Sequence, residues 1–275
     1  MINFLPKPID KIIDTNILEE LRTFPNQSTI EAILANSNKH QIWQLPSNKS
    51  YMLIENCPGN EPFIFLAGIL NAEDVEAVIK LCPNGGFPMV YCPPIYHHLF
   101  IARNWDFNLR VQLTYKGLPL QENQEECDIR AIDNQELAKQ SLWWQKMLDS
   151  YNSAEDFFTS EKAYVLVQDN KVISEGYIGY HGGKYGEISV ITNPDYRNQE
   201  AGQKIATYVA AKCQEMGIKP VWSCHVHNKA SLKTGIKAGF QIEKYYVQLV
   251  PEFGNLYSSK LEEWLKNNPP KTRNW

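Results

Sequence analysis

The stretch from Val190 to Val209 contains the residues whose types and spacing best suit ligand binding. It begins as an apolar strand and ends as a helix, and the loop between them carries Arg197 and Gly202. A helix that opens from a buried strand leaves its first N–H groups without acceptors, at the positive end of its dipole, where an anion can bind. Arg197 adds a cation, and Gly202 lets the backbone approach a ligand closely. The loop therefore indicates a phosphate site, although α/β proteins also use such junctions purely for structure.

The same loop contains Glu200, which a phosphate site does not need. A carboxylate at a helix N-terminus suits the helix dipole, but it also competes with a phosphate for the same N–H groups. We expect Glu200 either to compete in this way or to point to solvent, with Lys204 one turn along the helix as its partner.

Other kinds of chemistry find less support in the sequence. The motifs of nucleotide triphosphatases (G-x-x-x-x-G-K-[ST]), dinucleotide-binding folds (G-x-G-x-x-G), serine hydrolases (G-x-S-x-G) and zinc proteases (H-E-x-x-H) are all missing. The six cysteines form no C-x-x-C pair, and in "CHVH" only His225 and His227 share the parity that puts side chains on one face of a strand. We therefore predict no metal site.

The elements that position the loop form a regular series. Three strands joined by tight polar turns predict an antiparallel meander, which is followed by a helix, a strand, a second helix and a last strand. The predicted segments are 163–168, 171–180, 185–192, 200–217, 219–226, 228–239 and 240–250. This order predicts a mixed sheet flanked by helices, in an α+β (mixed α/β) fold.

The polar stretch from Lys116 to Glu136 predicts a boundary within the chain. Before it, residues 1–122 mix short helices and strands and predict a smaller α/β domain. Residues 123–250 hold the series described above, preceded by a helix predicted from Asn134 to about Tyr151. The last segment, 251–275, predicts a short helix and a tail.

The composition is typical of an ordinary globular protein, with 43% hydrophobic and 21% charged residues. A net charge of −4 provides no broad basic field for nucleic acid or an anionic membrane. No apolar run is long enough to cross a bilayer. A signal peptide would need a continuous apolar core near the N-terminus, which is interrupted here by Pro6, Lys7, Pro8 and Asp10. We expect a cytoplasmic protein that binds neither nucleic acid nor membrane; no pattern here predicts an oligomeric state.

The segment "NPDYRNQEAGQKIATYVAAKCQEMG" resembles the acetyl-CoA-binding motif of the GNAT superfamily of N-acetyltransferases, R/Q-x-x-G-x-G/A, with Arg197, Glu200 and Gly202 at the matching positions. The later "NKASLKTGIKAGF" resembles the N-x-x-A/S…K-x-GF segment of that superfamily. The predicted strand order agrees with the GNAT core, and the resemblance covers about residues 125–250. More narrowly, the sequence is similar to the two-domain GNAT group that includes the zwittermicin-resistance acetyltransferases. In such a protein the first domain would shape the acceptor cleft or be a diverged copy of the same fold.

This resemblance implies an acetyl-CoA-dependent N-acetyltransferase, an acyltransferase in which the amine of a small molecule or peptide attacks the thioester directly. Backbone N–H groups of the loop would hold the pyrophosphate of acetyl-CoA, and the third strand of the meander would pair with its pantetheine arm. The residues that the resemblance assigns to acetyl-CoA are Val190, Ile191, Arg197, Asn198, Gln199, Ala201, Gly202, Gln203, Asn228 and Ser231.

Direct attack needs a base for the amine proton and an acid for the leaving thiolate. Glu187 at the start of the third strand is the first candidate base, directly or through water, and Glu175 in the second strand is the next. The alternative for both is a carboxylate on the solvated side of a strand. Gly235 stands where many GNAT enzymes have the tyrosine assigned to thiolate protonation. The candidate substitutes are Tyr245, Tyr246, His225, His227 and water.

Two departures from the GNAT pattern motivate a second hypothesis. Glu200 replaces a glycine of the motif, and Gly235 replaces the tyrosine. Both fit a non-catalytic GNAT-like module that binds CoA or acts through protein contacts.

Overall fold

The computed structural model describes residues 5–35, 41–55, 62–82, 88–117, 127–148 and 153–252. The chain forms two compact units, the first made of Met1–Arg110 and Tyr245–Trp275 and the second of Val111–Lys244. The predicted boundary between residues 122 and 123 and the short helix predicted within 251–275 lie outside the described residues.

The first unit is built on a mixed sheet. Its elements are β1 (Lys7–Ile9), α1 (Thr15–Leu21), α2 (Gln27–Ala35), β2 (Gln41–Gln44), β3 (Ser50–Ile54), β4 (Phe63–Gly68), α3 (Ala72–Leu81), β5 (Met89–Tyr91), α4 (His97–Ile101) and β6 (Trp105–Tyr115), of which the part from Val111 belongs to the second unit. Strands β1 to β4 pair antiparallel with their chain neighbours, whereas β4 and β5 pair in parallel. A parallel pair needs a crossover connection, which α3 supplies.

Helices cover both faces of the sheet in the first unit. Alternate residues of β4 point to opposite faces, as in any strand. Phe65 packs in a cluster with Ile30 and Ile33 of α2. Leu66, its neighbour, packs in a separate cluster with Val75 and Val78 of α3.

The N-terminus of α3 is closed by its own side chains. Asn71 caps the helix: its side chain accepts from Asp74 N at 2.9 Å, and the Asp74 carboxylate accepts from Asn71 N at 3.1 Å. Asp74 also accepts from Ser47 N and Ser50 Oγ, and it is fully buried. The N–H of Asp74 in the first turn and the N–H of the capping Asn71 are therefore bound to amide and carboxylate oxygens of the chain itself.

The second unit follows the predicted series. Its remaining elements are β7 (Asp128–Ala131), α5 (Gln135–Ala138), α6 (Trp144–Leu148), α7 (Ala154–Thr159), β8 (Ala163–Gln168), β9 (Lys171–Gly182), β10 (Tyr185–Thr192), α8 (Ala201–Glu215), β11 (Lys219–His225), α9 (Lys229–Lys237) and β12 (Phe240–Pro251), whose end from Tyr245 belongs to the first unit. The strand order is β12-β6-β11-β10-β9-β8-β7. Helices lie on both faces, so the predicted mixed sheet flanked by helices is confirmed.

The single helix predicted from Asn134 to about Tyr151 is wrong. The chain forms α5, leaves the helical path after Ala138, and resumes as α6 at Trp144. The side chain of Glu175, on β9, accepts hydrogen bonds from Leu142 N and Trp143 N in the intervening segment. This long-range contact competes with helix hydrogen bonds, and no local periodicity reveals it.

Two irregularities on β9 set which side chains share a face. Its register against β8 shifts after Val172, and its register against β10 shifts between Tyr180 and Ile178. On β10, Glu187, Ser189 and Ile191 alternate onto one face and lie opposite Tyr180, Tyr177 and Glu175 of β9. Bulges of this kind re-aim side chains. The same sheet face thus carries both predicted carboxylates, Glu175 and Glu187.

Strands β10 and β11 separate after a short contact. They pair in parallel only from Tyr185–Glu187 to Lys219–Val221. Both strands continue, β10 to Thr192 and β11 to His225, yet within the described ranges no further pair joins them. The edge of β10 from Ile188 onward therefore keeps backbone groups that no strand satisfies.

The close packing of α8 on β9 gives a test of this fold. A Cβ on Gly176 would lie 2.8 Å from Val209 Cγ2 and 3.0 Å from Ile205 Cγ1, both fully buried. We predict that Gly176→Ala lowers the free energy of unfolding by about 1–3 kcal/mol through overpacking. Gly235→Ala is the control, since its Cβ would make ordinary 3.4 Å contacts with Trp222. Urea unfolding measures both, and equal midpoints for the two variants would contradict the packing described.

Candidate functional site

The loop between β10 and α8 is held at its base by backbone contacts. Asn193 N donates to Ile173 O at 3.0 Å, and Asn193 Oδ1 accepts from Asp195 N at 3.1 Å. A 3₁₀ turn follows over Pro194–Tyr196. The next residue, Arg197, is exposed. The turn therefore fixes where the following segment begins and leaves the arginine at the surface.

A run of backbone donors opens the helix. Residues from Asn198 to Gln203 have N–H groups for which no acceptor lies among the described residues. The first bonded donor is Lys204 N, which donates to Glu200 O at 2.9 Å. Because α8 spans Ala201–Glu215, the positive end of a four-turn dipole coincides with these donors. This end of α8 can accept a doubly charged oxyanion such as a pyrophosphate.

Glu200 does not occupy these donors. Its carboxylate makes no cap bond and accepts instead from Lys237 Nζ of α9, at 3.1 Å. The prediction that Lys204 pairs with the Glu200 carboxylate is therefore wrong. The backbone of Glu200 is left-handed, with φ of 62°, which explains why a glycine suits this position in the motif.

Gly202 sits where α8 approaches the end of β10. A Cβ on Gly202 would lie 2.9 Å from Thr192 Oγ1, which in turn lies 2.9 Å from Ser174 Oγ. A side chain at 202 would push α8 away from β10. The glycine therefore has a packing role between helix and strand in addition to any role toward a ligand.

Val190 and Ile191 lie on the part of β10 that has separated from β11. Both remain paired with β9, through Gly176 and Glu175, respectively. Only the opposite edge of this strand is open, so an extended chain could pair there as an added strand would.

Glu187 lies at the last paired position before the two strands part. It is half-buried, faces Val221 across the parallel pair, and accepts a hydrogen bond from Ser223 Oγ of β11. A half-buried carboxylate beside an open strand edge is suitably placed to accept a proton.

Glu175 has a different environment. It is 1% exposed, and its carboxylate accepts from Ser141 Oγ and Tyr177 Oη at 2.5 Å each, from Trp143 N at 3.1 Å and from Leu142 N. Four donors on two oxygens leave this group little capacity for a further contact. Glu175 therefore anchors the segment between α5 and α6.

Asn228 and Ser231 begin α9. Asn228 Oδ1 accepts from Ser231 N at 3.1 Å, and Ser231 Oγ accepts from Trp222 Nε1 at 3.2 Å. The same Trp222 ring packs against Gly235, with 3.4 Å to an ideal Cβ there. The indole thus fills the space beside position 235, which sequence reasoning did not reveal.

The remaining predicted acids fall in different places. His225 ends β11 and is half-buried, whereas His227 is exposed in the following turn. Tyr245 belongs to the first unit and is 57% exposed. Tyr246 is buried in the first unit, where its hydroxyl donates to Asn26 Oδ1 and accepts from Arg110 Nε. Tyr246 is therefore engaged in a network of its own.

The part of the chain that the structure describes holds neither a metal-binding cluster nor a membrane-spanning helix. No group of three or more His, Cys, Asp or Glu side chains in that part of the chain could hold a metal ion. Nor does any helix there combine the length and apolarity required to cross a membrane.

Comparison with known sequences identifies a protein family that most of the second unit resembles. Residues 114–249 match the family model of the GNAT acetyltransferases. The chain is 27% identical over 119 residues to the uncharacterized N-acetyltransferase YdfB of Bacillus subtilis strain 168, a match that covers 43% of this chain. It spans 46% of the length of that relative, somewhat less than half.

Solved structures with the same fold extend the match beyond the second unit. A GCN5-related N-acetyltransferase-like protein from Streptococcus suis superposes with a TM-score of 0.63 at 19% identity, covering 85% of this chain and 99% of its own. A GCN5-related N-acetyltransferase from Kribbella flavida gives 0.59 at 10% identity, with 88% and 99% covered. At such identities the likeness concerns the fold alone.

The Glu175 contacts predict a large effect on stability. Glu175→Ala removes the acceptor for four donors, two of them backbone N–H groups, and we expect it to cost at least about 3 kcal/mol of unfolding free energy. Ser141→Ala, which removes one of those donors, should cost about 1 kcal/mol. Chemical denaturation followed by fluorescence measures both. An unfolding curve for Glu175→Ala that overlays the wild type would contradict the anchoring role.

Proposed function

Because residues 114–249 match the family model of the GNAT acetyltransferases, we propose that this protein transfers an acetyl group from acetyl-CoA to the amine of a small molecule or peptide. The observation that carries the proposal is the run of unsatisfied N–H groups from Asn198 to Gln203, left open because Lys237 draws the Glu200 carboxylate away. The alternative, a module that has lost CoA binding, would not need these donors to stay open.

In this proposal the donor is held mainly by backbone. The N–H groups of Asn198, Gln199, Ala201, Gly202 and Gln203 bind the pyrophosphate, with Arg197 as a flanking cation. The open edge of β10 at Val190 and Ile191 pairs with the pantetheine arm. Asn228 and Ser231 support this site from the start of α9, through their contacts with each other and with Trp222. The bound donor supplies the activated thioester.

The chemistry then requires two proton transfers. Glu187 accepts the proton of the attacking amine, directly or through water, and Ser223 orients its carboxylate. Glu175, saturated by donors, acts as a positioning residue for the segment from Ser141 to Trp143. His225, which ends β11 in the second unit, is the candidate to protonate the leaving thiolate, since Trp222 fills the space beside Gly235.

The first unit is proposed to be a diverged copy of the second that no longer binds the donor. Both units run through β-β-β-α-β-α-β, from β2 to β6 and from β8 to β12, and in both the third and fourth strands of this series pair in parallel. The helix that corresponds to α8 is α3, whose N-terminus is closed by the capping box of Asn71 and Asp74, with the buried Asp74 carboxylate at that end of the helix. We therefore propose one acetyl-CoA site per chain. We also propose a two-domain arrangement like that of the zwittermicin-resistance type, and a cytoplasmic location.

Calorimetric titration with acetyl-CoA and a free-thiol assay over a panel of amines test the proposed function. One site per chain together with amine-dependent thiol release is expected. Binding without thiol release for any amine would support a non-catalytic module that still binds CoA. No binding at millimolar acetyl-CoA would support a module that has lost CoA binding.

Two substitutions in the loop should change the affinity for acetyl-CoA in opposite directions. Arg197→Ala removes a charge-assisted contact and should weaken binding by about tenfold or more. Glu200→Gly removes a like charge and a left-handed non-glycine residue, so binding should stay equal or tighten by about two- to fivefold. The titration described above measures both. Unchanged affinity in Arg197→Ala, or lost binding in Glu200→Gly, would contradict the loop assignment.

The base assignment predicts a change in turnover. Glu187→Gln keeps the acceptor for Ser223 but cannot take a proton, so kcat should fall by about 10²- to 10⁴-fold while the KM for acetyl-CoA changes little. The acidic limb of the pH–rate profile should disappear with it. Ser223→Ala removes the orienting hydroxyl but keeps the base, so it should lower kcat far less than Glu187→Gln and keep the acidic limb. A wild-type pH profile in Glu187→Gln would assign the base elsewhere.

A further inference from the structure

The N-terminus of α2, in the first unit, is made of buried polar residues. Asn26, Gln27, Ser28 and Thr29 are 3%, 8%, 0% and 1% exposed. Burying a hydroxyl without a hydrogen bond is unfavourable, so such positions are normally apolar or fully satisfied. This turn departs from that expectation.

Two of the four side chains have no hydrogen-bond partner among the described residues. These are Ser28 and Thr29, whose Oγ and Oγ1 atoms are buried and unsatisfied. Gln27, beside them, is satisfied, since its Nε2 donates to Leu21 O at 2.7 Å and Phe24 O at 2.9 Å. Helical side chains lean toward the helix N-terminus, so both hydroxyls lean toward the end at which the helix lacks acceptors.

Backbone donors at the same end are also open. Thr29 N and Ile30 N both donate to Asn26 O, at 3.0 and 3.2 Å. For the N–H groups of Gln27 and Ser28, the described chain offers no acceptor. Two hydroxyls and two amides without acceptors therefore lie in the first turn of a nine-residue helix, at the positive end of its dipole.

A cation is connected to this turn through one tyrosine. Arg110 Nε donates to Tyr246 Oη at 3.1 Å, and Tyr246 Oη donates to Asn26 Oδ1 at 3.3 Å. Arg110 is half-buried and Tyr246 is buried. The guanidinium, the helix dipole and the four donors all favour a negatively charged acceptor.

We propose that the N-terminus of α2 binds a small oxyanion, a carboxylate or a phosphate group. The Ser28 and Thr29 hydroxyls and the N–H groups of Gln27 and Ser28 donate to it, and Arg110 contributes positive charge through Tyr246. Every residue of this site belongs to the first unit, so the inference does not depend on the proposed acetyl transfer.

The test is thermal unfolding of the full chain in chloride buffer with added inorganic phosphate, acetate or glycine at matched ionic strength. An anion that binds the folded state raises Tm in proportion to its occupancy. We expect inorganic phosphate, or the carboxylate compounds acetate and glycine, to raise the Tm of the wild type. Ser28→Ala and Thr29→Val should each weaken the apparent affinity about tenfold or more. In the absence of anion, these two variants should unfold at or above the wild-type Tm, because they remove unsatisfied hydroxyls.

Two controls locate the effect. Ser50→Ala removes an equally buried hydroxyl that already donates to Asp74, so it should lower the Tm in all buffers and keep the anion response. Arg197→Ala should lower only the part of the phosphate response that comes from the loop before α8 and keep the part that Ser28→Ala and Thr29→Val remove, which separates the two sites. The proposal would be overturned if only Arg197→Ala lost the rise in Tm with added anion. It would also be overturned if Ser28→Ala and Thr29→Val both kept the wild-type rise.

Amide chemical shifts of the wild-type chain give a readout that does not depend on the variants. Titration with phosphate or acetate should move the Gln27 and Ser28 N–H signals in a saturable way. No anion response in the wild type by either method would mean that ordered water satisfies the hydroxyls, and the proposed site would be rejected.

Discussion

Unsatisfied backbone is the constraint around which the second unit is organised. Backbone N–H and C=O groups are costly to leave without partners, and yet β10 loses its partner β11 after Glu187, and α8 begins with a run of unused donors. The two features lie at the start and the end of one continuous segment, from Glu187 to Gln203. A ligand with an extended arm and an anionic end would satisfy both. This complementarity connects the fold to the proposed donor.

Three carboxylates of the second unit are proposed to differ in function because their partners differ. Glu175 is buried and bound by four donors, which suits a structural anchor. Glu187 accepts from the hydroxyl of Ser223 on β11 and keeps partial exposure, which suits proton transfer. Glu200 pairs with Lys237 at the surface and leaves the helix end open. Residue type alone could not separate these roles; the hydrogen-bond partners do.

Local patterns predicted much of this arrangement, and long-range contacts account for the rest. Turn residues and alternation were sufficient for the meander and for α8, α9 and β12, because those signals lie within each segment. The helix predicted from Asn134 failed because Glu175, distant in sequence, binds the N–H groups of residues 142 and 143. Lys237 as the partner of Glu200 was equally hidden, since the two residues lie on different elements. The packing of Trp222 against Gly235 likewise depends on the tertiary fold.

The most direct test of the proposed donor site, the loop before α8, is a crystal structure of the chain with bound CoA. The proposed donor site predicts one CoA per chain, with pyrophosphate oxygens within hydrogen-bond distance of the N–H groups between Asn198 and Gln203. It also predicts that the Glu200 carboxylate remains turned toward Lys237. A CoA bound with its pyrophosphate elsewhere, or a Glu200 side chain folded onto these donors, would contradict it.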